Sequence, residues 1–242
     1  MKIALAQLQT KAGSIEKNIE LHIACCMQAA SLDADLIVFP ELSITNYEPV
    51  LAKEIAFTLT DSRLQPLQLM SNTHDLIIAA GLPLLTESGI AIASLFFLPN
   101  KLPVVYYKTY LHADELPFFV PVANTTVTPL PAIAFAICYE LSVPQHAAAV
   151  ALLQPKLYIA SVAKTHNGVI ESKIRLAQLA KQNKSPVLFV NAVGPADNFV
   201  NAGGSFIMNK EGVLQIELST DTNGMLIFDN FTDTCSCHLL QV

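Results

Sequence analysis

Residues 132–163 read AIAFAICYELSVPQHAAAVALLQPKLYIASVA. A short apolar run ends at Cys138, a helix-type segment covers 142–154, and a second apolar run, PKLYIASVA, covers 155–163. Strand, crossover helix and strand in succession form the unit of a parallel sheet. Neither run alternates apolar with polar, so both strands are expected to be buried on two faces.

The pattern repeats outward from this unit. KIALAQL (2–8), ADLIVFP (34–40) and DLIIAAGLPLL (75–85) read as strands. SIEKNIELHIACCMQAASL (14–32) reads as a helix with Ser14 at its N-cap. VLAKEIAF (50–57), DSRLQPLQLMSNTH (61–74) and GVIESKIRLAQLAKQNK (168–184) read as helical too. GIAIASLFFLP (89–99) and LPVVYYKTYL (102–111) follow one another without a helix between them. SPVLFVNAVG (185–194) is a strand, and a turn at Ala202-Gly203-Gly204 leads into a hairpin, SFIMN and GVLQIEL, around Lys210-Glu211-Gly212. GMLIFDNF (224–231) closes the sheet. Strand–helix alternation interrupted by hairpins predicts an α/β chain with mixed sheets, a four-layer αββα sandwich, formed as a single domain over residues 1–242.

Composition narrows the function. With 52% hydrophobic and 14% charged residues the chain builds a large core. A net charge of −6 from 14 basic and 20 acidic residues leaves no basic face, so no nucleic-acid partner is expected. The mean hydropathy of +0.44 raises the question of a membrane. The most apolar stretch, however, is broken by Pro83, Glu87 and Gly89, well short of the roughly 18–20 residues of a spanning helix. No membrane association is expected. The N-terminal apolar run is too short for a signal peptide, and five cysteines without a regular framework suit a reducing, cytoplasmic setting. Cys25 and Cys26 read as helical core. Cys235, Cys237 and His238 form a cluster lacking a second ligand pair, so no metal is assigned.

Three reactive side chains follow directly on apolar strand runs: Glu41 after DLIVFP, Lys108 after VVYY and Cys138 after AFAI. Each alone has an ordinary structural reading, as a cap, a snorkelling edge lysine and a core thiol. Together, at strand ends where α/β folds place their sites, they have one chemical logic. A free thiol is only about 3% ionised at pH 7. A carboxylate takes its proton as it attacks, and an ammonium stabilises the oxyanion that forms. The backbone N–H of Tyr139 is the candidate second oxyanion donor. Such a site cleaves amides through a thioester and needs no metal or cofactor.

FPELSITNYEP, YYKTYLHADELPFF and AICYELSVP resemble, in order and separation, the glutamate, lysine and cysteine blocks of the carbon–nitrogen hydrolase (nitrilase-like amidase) superfamily. NAGGSFIMNKEG resembles that family's late Gly-Ser hairpin, so the likeness covers nearly the whole chain. The resemblance implies Glu41 as general base, Lys108 as oxyanion stabiliser and Cys138 as nucleophile. It also implies Glu115 as the residue orienting Lys108 and substrate, the αββα sandwich, and assembly as a homodimer or higher homo-oligomer. Two departures stand out. Asn46 occupies a position that is often glycine, and asparagine tolerates the left-handed backbone best among other residues. Ser142 stands where relatives often carry an arginine, which removes an ion-pair partner for Glu140.

The substrate pocket is expected to draw on Tyr47, His112 and Glu140, with Lys164 or His166 meeting a polar or carboxylate-bearing group. His22, His74, His146 and His238 read as surface or helix residues without convergent partners. A small-molecule amide or carbamoyl substrate is the leading expectation. Nitrilase or acyl-transferase activity on the same scaffold remains open, as does a catalytically silent binding protein. A papain-type Cys-His hydrolase is disfavoured, since no histidine lies in the required context.

Overall fold

A computed structural model describes residues 1–124 and 128–240. Its fourteen strands are, in chain order, β1 (Lys2–Gln7), β2 (Leu36–Val38), β3 (Ile77–Thr86), β4 (Gly89–Phe97), β5 (Val104–Tyr107), β6 (Ile133–Ile137), β7 (Leu157–Val162), β8 (Val187–Asn191), β9 (Val193–Ala196), β10 (Phe199–Ala202), β11 (Phe206–Met208), β12 (Leu214–Glu217), β13 (Gly224–Asp229) and β14 (Thr234–Leu239). The helices are α1 (Ile15–Ser31), α2 (Ala52–Ile55), α3 (Gln65–His74), α4 (Pro144–Leu153) and α5 (His166–Asn183).

The strands form a seven-stranded sheet, β14-β13-β1-β2-β3-β4-β5, and a five-stranded sheet, β12-β11-β8-β7-β6, with β9 and β10 as a separate ribbon. Both large sheets are mixed. β1, β2 and β3 run parallel, as do β6, β7 and β8, while hairpin neighbours run antiparallel. The unit quoted at the outset is therefore β6-α4-β7, a parallel pair with its crossover helix.

Side-chain alternation explains why these strands are apolar throughout. Along β1, Ile3 and Leu5 enter the core between the sheets, where Phe135, Ile159, Leu188 and Ile207 of the five-stranded sheet meet them. Ala4 and Ala6 face the other way, toward Ile19, Cys25 and Cys26 of α1 and Leu67 of α3. The five-stranded sheet repeats the arrangement, with Ala134, Ala160 and Phe189 packed on Leu176, Leu179 and Ala180 of α5. Three apolar layers separate four structural ones, which is the expected αββα sandwich.

Two elements depart from the sequence reading. β13 does not close its sheet, because β14 pairs antiparallel along its whole length and forms the edge. The period of two along β14 puts Cys235 and Cys237 on one face and His238 on the other, where Nε2 of the histidine lies 2.9 Å from Ser236 Oγ. That strand geometry pulls the Cys-Cys-His cluster apart. The β9–β10 ribbon is the second departure, and it carries Phe199 toward the ends of the parallel strands.

Among the described residues, no helix is long and apolar enough to cross a membrane.

Candidate active site

The carboxyl ends of β2, β5, β6 and β7 converge, and each delivers a chemically active residue just past its last strand position. Beyond β2 the chain turns sharply, with Leu42 at φ 51° and Asn46 at φ 64°. Asn46 therefore does adopt the left-handed conformation its position demands, and its side-chain amide donates to Glu48 Oε1 and to the Pro195 carbonyl. Gly81 of β3 lies against this turn. A Cβ there would stand 2.3 Å from the Leu42 nitrogen and 2.8 Å from the Pro40 carbonyl oxygen, so only glycine lets the Glu41 turn seat on the sheet.

His22 supports the same turn from behind. Its Nδ1 donates to the Asn18 carbonyl at 2.6 Å, and its Nε2 accepts from Ser43 Oγ at 2.9 Å. Burial pushes its pKa down to about 4, so the ring is neutral. This corrects the reading of His22 as a partnerless residue.

Lys108 sits at the centre of the site, with no solvent exposure. Its Nζ lies 2.6 Å from Glu41 Oε1 and 2.6 Å from Glu115 Oε1. Burial alone would push its pKa down. The two carboxylates and the nearby thiol outweigh that and hold it above the ordinary lysine range, so Lys108 is a permanent ammonium. Glu115 is held in turn by the Tyr47 hydroxyl at 2.9 Å and the His112 backbone N–H at 2.7 Å. Glu41 is held by the ammonium through one oxygen, while its Oε2 has no hydrogen-bond partner. Burial, opposed by Lys108 and reinforced by Glu115, raises the Glu41 pKa to about 7. A carboxyl poised at neutral pH is suited to taking and returning a proton.

Cys138 follows β6 with φ 45°, a left-handed conformation that costs a non-glycine residue free energy and is held by its surroundings. The turn lifts the thiol off the strand into a cavity of about 240 Å³. Its Sγ lies 3.6 Å from the Ala163 carbonyl oxygen. Burial and the Glu41 carboxylate push the thiol up to about 11, with Lys164 and Lys108 pulling against them. The resting group is a thiol with a base beside it rather than a standing thiolate.

Tyr47, His112 and Tyr139 line this cavity, as does Lys164, the residue after β7 and its flanking alanine. Tyr139 and His112 meet edge to face with ring centroids 5.1 Å apart, and Asp114 Oδ1 lies 2.5 Å from His112 Nδ1. Phe199, which the sequence reading did not single out, packs edge-on against Tyr47 at 5.4 Å. His166 does not join them. It is the first residue of α5, rotated to solvent, while Thr165 caps the helix through its hydroxyl and lines the cavity in its place.

Glu140 is also not where a substrate contact would be. It is 1% exposed and does not line the cavity. Its Oε2 accepts from the Tyr106 hydroxyl and the Ile137 N–H, and its Oε1 from the Thr109 N–H at 2.8 Å. The carboxylate thus bolts the cysteine turn to the lysine strand, using backbone donors where an arginine was expected to be missed. His146 joins this cluster, its Nε2 3.2 Å from the Tyr106 hydroxyl and 3.1 Å from the Phe135 carbonyl, which corrects the reading of it as unpartnered. Glu140→Ala strands several buried donors at once and should lower stability by about 2–4 kcal/mol. Urea unfolding checks this, with Glu140→Gln expected to lose less.

Asn191, at the end of β8, is a further residue the sequence reading missed. Its Oδ1 accepts from the Lys164 N–H, and its Nδ2 donates to the Lys164 carbonyl, fixing that backbone from both sides. A polar side chain closing a buried strand, VLFVN, was the available signal. A larger groove of about 510 Å³ between α3 and the segment after β4 is lined, among the described residues, by no cysteine, histidine or glutamate, and its Asp61 is engaged by Arg63 at 2.6 Å.

Known proteins resemble the chain over most of its length. The chain is 25% identical over 225 residues to an (R)-stereoselective amidase from Pseudomonas sp, covering 91% of this chain and 82% of that one. It is 27% identical over 222 residues to a glutamine-dependent NAD(+) synthetase from Acinetobacter baylyi, covering 87% of this chain and 40% of the synthetase. In fold it matches a mutant of the amidase from Nesterenkonia sp. AN1 in complex with butyramide, with a TM-score of 0.84 at 21% identity, covering 94% and 89% of the two chains. The carbon-nitrogen hydrolase family model matches residues 2–232, and the chain belongs to that family.

Proposed function

We propose that the chain hydrolyses a small amide through an acyl-thioester on Cys138. The observation that carries this reading is a strained cysteine on a cavity wall beside a carboxyl poised near pH 7 and a buried ammonium. Glu41 accepts the thiol proton as Sγ attacks the amide carbon. The Lys108 ammonium and the Tyr139 N–H stabilise the oxyanion. Glu41 returns its proton to the leaving nitrogen, then takes one from the water that attacks the thioester, and the thiol is restored. Glu115 orients Lys108 and keeps its charge facing the reaction. Relatives support the choice of amide. A cysteine variant of the Nesterenkonia amidase has been captured with butyramide, and a glutamate variant with the acetamide moiety of fluoroacetamide added to its active-site cysteine. A cavity of about 240 Å³ lies below the roughly 300–1,000 Å³ of pockets for drug-sized ligands, which favours a small substrate.

The test is ammonia release from a panel of short amides, followed against pH. Glu41 works as a base only when ionised. Below its pKa of about 7, kcat/KM should therefore fall close to tenfold per pH unit, and above it should level off. Glu41→Gln should remove this acid limb along with most of the activity. A flat profile between pH 5 and 8 in the unaltered protein would contradict the assignment.

A further inference from the structure

The side of the cavity built by the five-stranded sheet carries a cation that is in no ion pair. Lys164 lines the cavity, and among the described residues its ammonium makes no ion pair or hydrogen bond. The other ionisable side chains there have partners: Glu115 and Glu41 share Lys108, and Asp114 faces His112.

The lysine is also held in place. Asn191 fixes its backbone on both sides. Its stem lies along the first turn of α5, where a Cβ added at Gly168 would stand 3.3 Å from the Lys164 Cβ and 3.5 Å from its Cδ. The ammonium reaches close enough to Cys138 to pull the thiol pKa down, ahead of Lys108 in effect. An ammonium outside any ion pair, on a fixed stem at a reactive centre, is suited to anion recognition.

Direction follows from the two sheets. Glu41, which must hand its proton to the leaving nitrogen, comes from the seven-stranded sheet, after β2. Lys164 comes from the five-stranded sheet, after β7. With the leaving amine placed toward Glu41, the Lys164 side of the cavity is left for the acyl chain. We infer that the substrate is a short amide whose acyl group ends in a carboxylate, the monoamide of a small dicarboxylic acid, with Lys164 pairing that carboxylate. This rests on the amidase reading and adds the substrate class to it.

The test compares succinamate and glutaramate with 4-methylpentanamide, the neutral isostere of succinamate, by ammonia release. Because Lys164 also acts on the thiol, the informative quantity is the ratio of kcat/KM between anionic and neutral amides. The unaltered protein should prefer an anionic amide, and Lys164→Gln should lower the ratio about 10- to 100-fold. Lys164→Arg should keep most of it. A ratio unchanged by Lys164→Gln, or a preference for 4-methylpentanamide, overturns the inference. So does a Lys164-dependent preference for N-acetylglycine, which carries its carboxylate on the amine side and is followed by glycine release. Recognition is separable from turnover in Cys138→Ala, where calorimetry should show succinamate or glutaramate binding that Lys164→Gln abolishes. Such binding without any turnover by the unaltered protein would overturn the amidase reading alone. Absence of binding would overturn the inference drawn from Lys164.

Discussion

Cys138→Ala should lose amide hydrolysis by about 10⁴-fold or more in kcat while remaining folded. Loss of a nucleophile removes the covalent route entirely, and the residual rate is that of an oriented water in an oxyanion site. The size of the effect separates this role from a packing role. Cys138 is only partly buried and alanine is smaller, so the cost to stability is modest beside the loss of rate. Alanine also carries the left-handed φ of 45° no worse than cysteine does, so the turn has no new reason to collapse. Ammonia release against each amide checks the rate, and urea unfolding checks that the fold persists. Activity within tenfold of the unaltered protein would remove the nucleophile from the account.

Lys108→Met should lower kcat/KM at pH 7 by about 10³-fold or more. Loss of one oxyanion donor alone accounts for about 10²–10³. The rest comes from Glu41. Without the ammonium, Glu41 loses the cation that lowers its pKa and keeps the Glu115 carboxylate that raises it. The Glu41 pKa, already about 7 with the lysine in place, moves higher, and the base is protonated where the enzyme should work. Residual activity should therefore have its acid limb displaced to more alkaline pH, which a purely structural lysine would not produce. Stability should also fall, by about 3–5 kcal/mol at neutral pH, because a buried pair has lost one partner. The loss should shrink at acid pH, where Glu41 is neutral. Methionine preserves the stem, so a misplaced loop does not explain the result.

Much of this was legible in the sequence, for a physical reason. The parallel strands are buried on both faces, so ADLIVFP, AIAFAIC and PKLYIASV stand out as apolar runs, and reactive residues at their ends are conspicuous by contrast. What was not legible depended on partners far along the chain. Glu140 resembles a pocket acid in CYEL, and only the fold shows its oxygens taken by Ile137, Tyr106 and Thr109. His22 and His146 sit on helices, where a histidine reads as polar surface. Their inward faces become evident only once α1 backs the Glu41 turn and α4 backs β6. Lys164 and His166 are two residues apart, and the helix begins between them. The Thr165 cap leaves Lys164 in the loop at the cavity and rotates His166 away. TCSCHL shows no apolar face because β14 is an exposed edge, so its sequence does not announce a strand.

In the proposed reaction Cys138 carries the acyl group between two half-reactions. Rapid acid quench during turnover of a short amide, followed by peptide mass mapping, tests it most directly. The acyl mass should appear on the peptide containing Cys138, be released by hydroxylamine, and be absent from the peptides carrying Cys25, Cys26, Cys235 and Cys237. Steady ammonia release with no acyl adduct on Cys138, and undiminished release by Cys138→Ala, would contradict it.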